Sequence, residues 1–169
     1  MDKDDANAWK AYLKKGKIEQ ALDNCQSSQR PYVAGIYADQ LFQKKKYDEA
    51  AKYYAQSSKT FEEVSLKFIG ESLFTNLIEY LLLMFKKILK KEQKDPDYKP
   101  QKQKLLICTW IVELKLNEIN GIQVARDNET RHDKREDLNK RYQKKMVKLQ
   151  EFLIETREKE ADDTIFQVL

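Results

Sequence analysis

Trp9-Lys-Ala-Tyr12-Leu13-Lys-Lys-Gly16-Lys-Ile18-Glu-Gln-Ala21-Leu22 is followed by Ala38-Asp-Gln-Leu41-Phe42-Gln-Lys-Lys-Lys46-Tyr47-Asp-Glu-Ala50-Ala51, and the two stretches carry one pattern twice. Shifted by 29 residues, Tyr12 falls on Leu41, Leu13 on Phe42, Ile18 on Tyr47 and Ala21 on Ala50. Each stretch reads as a helix, a short basic turn and a returning helix with alanine on its inward side. Repetition of such a unit is how a chain specifies hairpins stacked in a row. Stacks of this kind serve as assembly surfaces far more often than as active sites.

Working outward, residues 6–15 read as a helix closed by Gly16, which tolerates the left-handed conformation of a helix terminus. Ile18 to Cys25 returns. The polar run Gln26-Ser-Ser-Gln-Arg-Pro31 breaks the pattern, and Pro31 suits the first turn of the next helix. That helix carries Val33, Ile36, Tyr37, Leu41 and Phe42 at steps of three and four. Lys44-Lys45-Lys46 marks a turn, and Tyr47 to Gln56 returns, with Ala50 and Ala51 small enough for two helices to approach closely. Ser57 or Ser58 offers a cap for another helix, Phe61 to Ile69.

After a break at Gly70 to Ser72, Leu73 to about Lys91 reads as a helix apolar on most sides, which needs neighbours on two flanks. Lys94-Asp-Pro96-Asp-Tyr-Lys-Pro100 is the clearest loop, because two prolines so close together do not sit inside one helix. Leu105 to Ile119 is helical again, with Gly121 as its expected terminator. Residues 123–137 are nearly free of large apolar groups and read as a loop or as the exposed start of a helix. Leu138, Tyr142, Met146, Leu149, Phe152 and Leu153 then form one apolar stripe. Thr164 to Leu169 resumes an apolar pattern, as in a piece of something longer.

The composition supports an all-α chain. Of 169 residues, 41% are apolar and 36% charged, which fits long helices with solvated outer faces. Four Gly and three Pro are too few for a fold of many short strands. An aromatic content of 11% is too rich for disorder. The opening Met1-Asp-Lys-Asp-Asp-Ala lacks the apolar core of a signal peptide. The stretch Leu73 to Leu89 is interrupted by Glu79, Lys86 and Lys87 and falls short of the ~20 apolar residues of a membrane span.

The residues for common chemistries are missing. No glycine-rich phosphate loop, nucleophile elbow or His-Glu-x-x-His pattern occurs. Cys25, Cys108 and the single His132 cannot supply a standard four-ligand zinc site. Both cysteines are expected as reduced, buried or half-buried thiols, and His132 as a solvated surface group. Glu62-Glu63 and Asp162-Asp163 point to different sides of their helices, and the first pair suits a helix N-terminus. No catalytic, cofactor-binding or metal-binding residue is therefore assigned, no cofactor is expected, and the chain is not expected to be an enzyme.

One cluster stands out. Lys86, Lys87, Lys90, Lys91, Lys94, Lys99, Lys102 and Lys104 face only Glu92, Asp95 and Asp97 in the same stretch. Such a cluster could attract an anionic bilayer or a nucleic acid. Without interleaved aromatics for base stacking it reads better as a solvated helix end and loop, and no nucleic-acid partner is expected.

The run Tyr47-Asp-Glu-Ala-Ala-Lys-Tyr-Tyr-Ala-Gln-Ser-Ser-Lys-Thr-Phe61-Glu-Glu-Val-Ser-Leu-Lys-Phe-Ile69 resembles the α-solenoid of the vacuolar protein sorting 18 family. Trp9-Lys-Ala-Tyr-Leu13 resembles the family's preceding repeat, and Thr109-Trp-Ile-Val-Glu-Leu-Lys-Leu-Asn-Glu-Ile119 falls at the later place the family expects. The resemblance covers residues 6–122 and departs from the family in 123–160 and around the proline loop. It implies an internal solenoid segment, without the β-propeller and RING finger of family members. It further implies a scaffold in a HOPS or CORVET tethering complex, cytoplasmic and peripheral on the late endosome, lysosome or vacuole membrane. The implied partners are the other subunits of that complex, together with SNARE-machinery proteins, and membrane association through those partners.

The expected architecture is thus a single α-solenoid of antiparallel helical hairpins over residues 1–169, similar to clathrin or tetratricopeptide repeats. Two hairpin repeats occupy 1–60, apolar middle helices 61–122, and a charged segment with an amphipathic helix 123–169. Roughly six to eight helices in a right-handed superhelical stack are expected. The competing readings are a peptide-binding helical-repeat adaptor unrelated to tethering, and a basic helical module that binds lipid or nucleic acid.

Overall fold

A computed structural model of the chain describes residues 8–95 and 97–159. Among the described residues there are eight helices and no strand: α1 (Ala8–Lys14), α2 (Ile18–Asp23), α3 (Arg30–Gln43), α4 (Tyr47–Gln56), α5 (Phe61–Gly70), α6 (Phe74–Lys94), α7 (Gln101–Asn128) and α8 (His132–Lys159). The expected features at Asp162-Asp163 and Thr164 to Leu169 lie outside the described residues. The chain divides into two compact units, Met1–Lys91 and Glu92–Leu169.

The first unit is organised by a turn that occurs three times. At the end of α1, Gly16 is left-handed (φ +71°), its N–H donates to Leu13 O at 3.0 Å and the Lys17 N–H donates to Tyr12 O at 2.9 Å. At the end of α3, Lys45 is left-handed (φ +60°), and the matching bonds run to Phe42 O at 3.0 Å and from Lys46 to Leu41 O at 2.9 Å. At the end of α5, Ser72 is left-handed (φ +56°), with Ser72 N–H to Ile69 O at 2.9 Å and Leu73 N–H to Phe68 O at 2.8 Å. These paired bonds satisfy the last carbonyls of each helix by a Schellman closure. One residue later the next helix begins. Gly16 and Lys45 are 29 positions apart, the spacing read from the sequence, and Ser72 follows Lys45 after 27. The helix pair α5/α6 is therefore a third copy of the hairpin turn.

What differs between the copies is the residue where the two helices cross. Ala21 and Ala50, equivalent in the repeat, are fully buried, and the α1/α2 and α3/α4 backbones approach closely. The equivalent in α6 is Leu77, also fully buried, and α5 and α6 are not among the pairs whose backbones come close. Side chains fill the wider space: the Phe68 and Tyr80 rings lie 6.3 Å apart across it.

In the second unit α7 packs against α8. Ile107, Cys108, Ile111 and Ile119 of α7 are buried, as are Leu149, Phe152 and Thr156 of α8, where the Thr156 hydroxyl donates to Phe152 O at 2.7 Å. Lys145 of α8 reaches Glu118 of α7 at 2.5 Å.

Several local expectations change. Gly121 does not end α7, which continues to Asn128; a glycine inside a helix costs only about 1 kcal/mol, which a long packed helix absorbs. The polar stretch 123–137 is the end of α7, a turn at Glu129 to Arg131, and the start of α8. The cap of α5 is Thr60 rather than Ser57 or Ser58: its hydroxyl accepts from the Glu63 N–H at 3.2 Å. Ser57 instead turns back, donating to Tyr54 O at 2.8 Å. Pro31 sits in the first turn of α3 as its fixed φ predicts.

Candidate interaction surface

The functional groups of the first unit gather where α3, α4 and α5 meet. Asp39 projects from α3 and accepts a hydrogen bond from the Tyr54 hydroxyl of α4 at 2.7 Å. Lys59, from the connection between α4 and α5, reaches the same carboxylate at 3.1 Å and also pairs with Glu63. Lys67 of α5 pairs with Asp39 as well. Burial works against the charged carboxylate, but the bonds from Lys67, Tyr54 and Lys59 outweigh it and hold Asp39 below the usual carboxylate range. The Tyr54 phenol moves the other way, pushed up by burial and by its bond to Asp39.

Rings close the rest of this centre. Phe42 meets Tyr47 at 5.2 Å and Phe68 at 5.5 Å, and Tyr54 meets Phe68 at 6.0 Å, all edge to face. The Lys67 ammonium lies 5.8 Å from the Phe42 ring and 5.5 Å from the Tyr54 ring, over their negative faces. On the other side of α3, the Tyr37 hydroxyl donates to Glu19 of α2, and that bond is the main reason its phenol is held up. Every group in this centre is engaged within the chain. It fixes one hairpin against the next.

The lysine run 86–104 divides in the structure. Lys104 is only 2% exposed, with both Glu92 oxygens within 3.2 Å. Lys87 donates to the Ala55 carbonyl at 3.1 Å, closing the end of α4. Lys86, Lys90, Lys91, Lys94, Lys99 and Lys102 are exposed, and so is Lys87 despite its bond. His132 is exposed at the start of α8, beside an open cleft of about 450 Å³ lined by Arg126, Asp127, Arg135, Glu136 and Asn139. Arg126 is already committed there: it pairs with Asp127 at 3.0 Å and covers the Tyr142 ring at 5.0 Å. Cys108 is buried and Cys25 half-buried, both as free thiols. Glu62 and Glu63 lie in the first turn of α5, where carboxylates favour the helix dipole. Among the described residues, no group of three His, Cys, Asp or Glu is placed to hold a metal ion, and no helix is long and apolar enough to cross a membrane.

The outward features are apolar side chains. Leu66 is 67% exposed on α5, with Ile69 and Phe74 following at the third turn. On α8, Val147 and Ile154 are exposed, and on α7 Leu116 and Val124. The sequence reading did not single these out, because a helical stripe shows which face is apolar only where the apolar residues are many.

Hairpins joined by one repeated turn, with polar groups spent on holding neighbours together, make an α-solenoid. A family model described as "VPS18, alpha-solenoid domain, first half" matches residues 6–169. The chain belongs to the VPS18 alpha-solenoid family. Relatives in the VPS18 family agree. The vacuolar protein sorting-associated protein 18 homolog of Danio rerio is 32% identical over 129 residues, 73% of this chain. The homolog of Drosophila melanogaster is 29% identical over 126 residues, 71% of the chain. The vacuolar membrane protein pep3 of Schizosaccharomyces pombe is 33% identical over 112 residues, 66% of the chain. In each case the match spans 12% of the relative's own length. No solved structure matches the chain.

Proposed function

We propose that the chain is a non-enzymatic scaffold segment, one stretch of solenoid, in a subunit of a HOPS- or CORVET-like membrane-tethering complex. The single observation that carries this reading is the family match over residues 6–169. The hairpins hold a shape and present faces such as Leu66 and Ile69 of α5 to other subunits. The subunit acts from the cytoplasm, held on the late endosome, lysosome or vacuole membrane by its partners, and takes part with SNARE-machinery proteins in fusion. The names of the relatives support the place of action: one is a vacuolar membrane protein, and the others are vacuolar protein sorting-associated proteins. The family does not favour a free-standing peptide adaptor. A lipid or nucleic-acid module built on residues 86–104 is further weakened because Lys104 is buried on Glu92 and Lys87, though exposed, is engaged by the Ala55 carbonyl.

Purification of the tagged parent protein from its own cells, after light lysine crosslinking, tests this reading. Other tethering subunits are expected in the complex, with crosslinks to lysines inside residues 8–159. A complex without such subunits, or one whose crosslinks all avoid this segment, would sink the proposal.

A further inference from the structure

The middle of α8 carries a polarised charge band. Residues 138–150 hold five basic side chains and no acidic one. Leu149, Phe152 and Thr156 set the buried face of the helix. Opposite them, at steps of three and four, stand Lys140, Lys144, Val147, Glu151 and Ile154, all exposed, with Arg141 and Lys148 alongside. Two cations of the band are spent within the hairpin, Lys145 on Glu118 at 2.5 Å and Lys140 on Glu136 at 3.0 Å. Arg141, Lys144 and Lys148 face outward. Positive charge is dense beneath them too: burial lowers the Lys115 pKa, Glu118 opposes this, and Lys145 and Lys148 add to the lowering.

Two features decide what such a band would receive. The first is its bracketing, with Asp133, Glu136 and Asp137 before it and Glu151 and Glu155 after it. From Lys140 to Lys148 the band is only about 12 Å long. A flat anionic bilayer laid along α8 would press its phosphates against all five carboxylates, whereas a short helix laid over residues 141–154 meets Glu151 alone. The second is the pair Val147 and Ile154, 48% and 57% exposed, which stand seven residues apart on one side of the band. Apolar side chains two turns apart are anchors for another helix. A nucleic acid would find no ring to stack on, since Tyr142 lies under Arg126.

We propose that this face of α8 docks a short acidic amphipathic helix of a partner protein, its carboxylates on Arg141, Lys144 and Lys148 and its apolar side chains against Val147 and Ile154. The charge match sets orientation and encounter rate, and the apolar pair sets residence time.

The test uses the full chain and a fluorescent synthetic peptide of about three helical turns, glutamates along one side and two leucines seven residues apart. An isomer of equal composition scatters the glutamates around the helix. Anisotropy is measured at about 50 mM and about 200 mM salt. The patterned peptide is expected to bind about tenfold more tightly than its isomer and to weaken with salt. Arg141→Glu with Lys144→Glu and Lys148→Glu should abolish binding. Val147→Ala with Ile154→Ala should weaken it several-fold, and Lys86→Glu with Lys90→Glu should leave it unchanged. Circular dichroism of each variant checks that the helices persist, and Lys144→Glu alone replaces the triple variant if they do not. Equal binding of the isomer would overturn the proposal, as would unchanged binding by the α8 variants or stronger binding of phosphatidylserine vesicles or an oligouridylate. Because binding is read on this chain alone, its outcome is separate from that of the tethering reading.

Discussion

Gly16, Lys45 and Ser72 occupy one conformation with three different side chains. Left-handed backbone costs an ordinary residue about 1–2 kcal/mol and glycine almost nothing. A Cβ added at Gly16 would meet nothing within 4 Å, so Gly16→Ala should lose about 1 kcal/mol by backbone strain alone, read by urea denaturation. Lys45→Gly should gain up to about 1 kcal/mol by the same measure. Asp39 makes a second prediction. Its carboxyl is held low, so the stability it contributes is complete above the unfolded value of about 3.9 and falls away as pH drops through the folded value below it. Denaturation midpoints between about pH 6 and pH 3 should therefore steepen for the native chain relative to Asp39→Asn. At pH 7, Asp39→Ala should cost about 1–3 kcal/mol, because the buried Tyr54 O–H loses its acceptor, keeping only the bond its oxygen accepts from Lys67, and Lys59 and Lys67 lose the carboxylate they share. The charged part of this hub was not legible in the sequence. Asp39, Lys59 and Lys67 look like ordinary surface charges until α5 folds back across α3.

Hairpins were legible where the chain wrote them with small residues. Ala21 and Ala50 mark the crossings of α1/α2 and α3/α4, and the repeat could be read at its spacing of 29. The two helices of the third hairpin and the break between them were legible, but their kinship with the first two copies escaped because Leu77 replaces the alanine, Ser72 replaces the basic or glycine turn residue, and the spacing shrinks to 27. Phe68, Ile69 and Phe74 keep the places of Leu41, Phe42 and Tyr47, but the small crossing residue and the turn signal that mark the repeat are gone. Gly121 misled for the opposite reason: a residue suited to ending a helix sits inside one. Ala50→Leu should wedge α3 from α4 and cost about 1–3 kcal/mol in thermal or urea melts, whereas the volume-conserving Leu77→Met, where side chains and not backbones meet, should cost less. Equal losses at both sites would mean that the crossing is not limited by the alanines.

Across the first unit, stability is expected to be graded. Each hairpin leans mainly on its neighbours, so local stability follows how much each copy buries within the unit. α1 buries Trp9, while α3 and α4 together bury Val33, Ala34, Tyr37, Leu41, Ala51 and Tyr54 among others. Amide exchange should accordingly be slowest in α3 and α4 and fastest in α1. Uniform protection through residues 8–91 would show that the three hairpins melt as one.

The one-residue link between each left-handed turn and the following helix leaves the returning helix no slack. An extra residue beside Lys46 would swivel α4 by about 100° about its axis. Glu49 would then take the place of Ala50 against α3, Tyr53 would take that of Tyr54, and Ala51 and Ala55 would turn away. These hairpin tips can change their lettering freely but not their length, so lengthening one should scramble everything that leans on it, and a far-ultraviolet spectrum before and after such an insertion would show it.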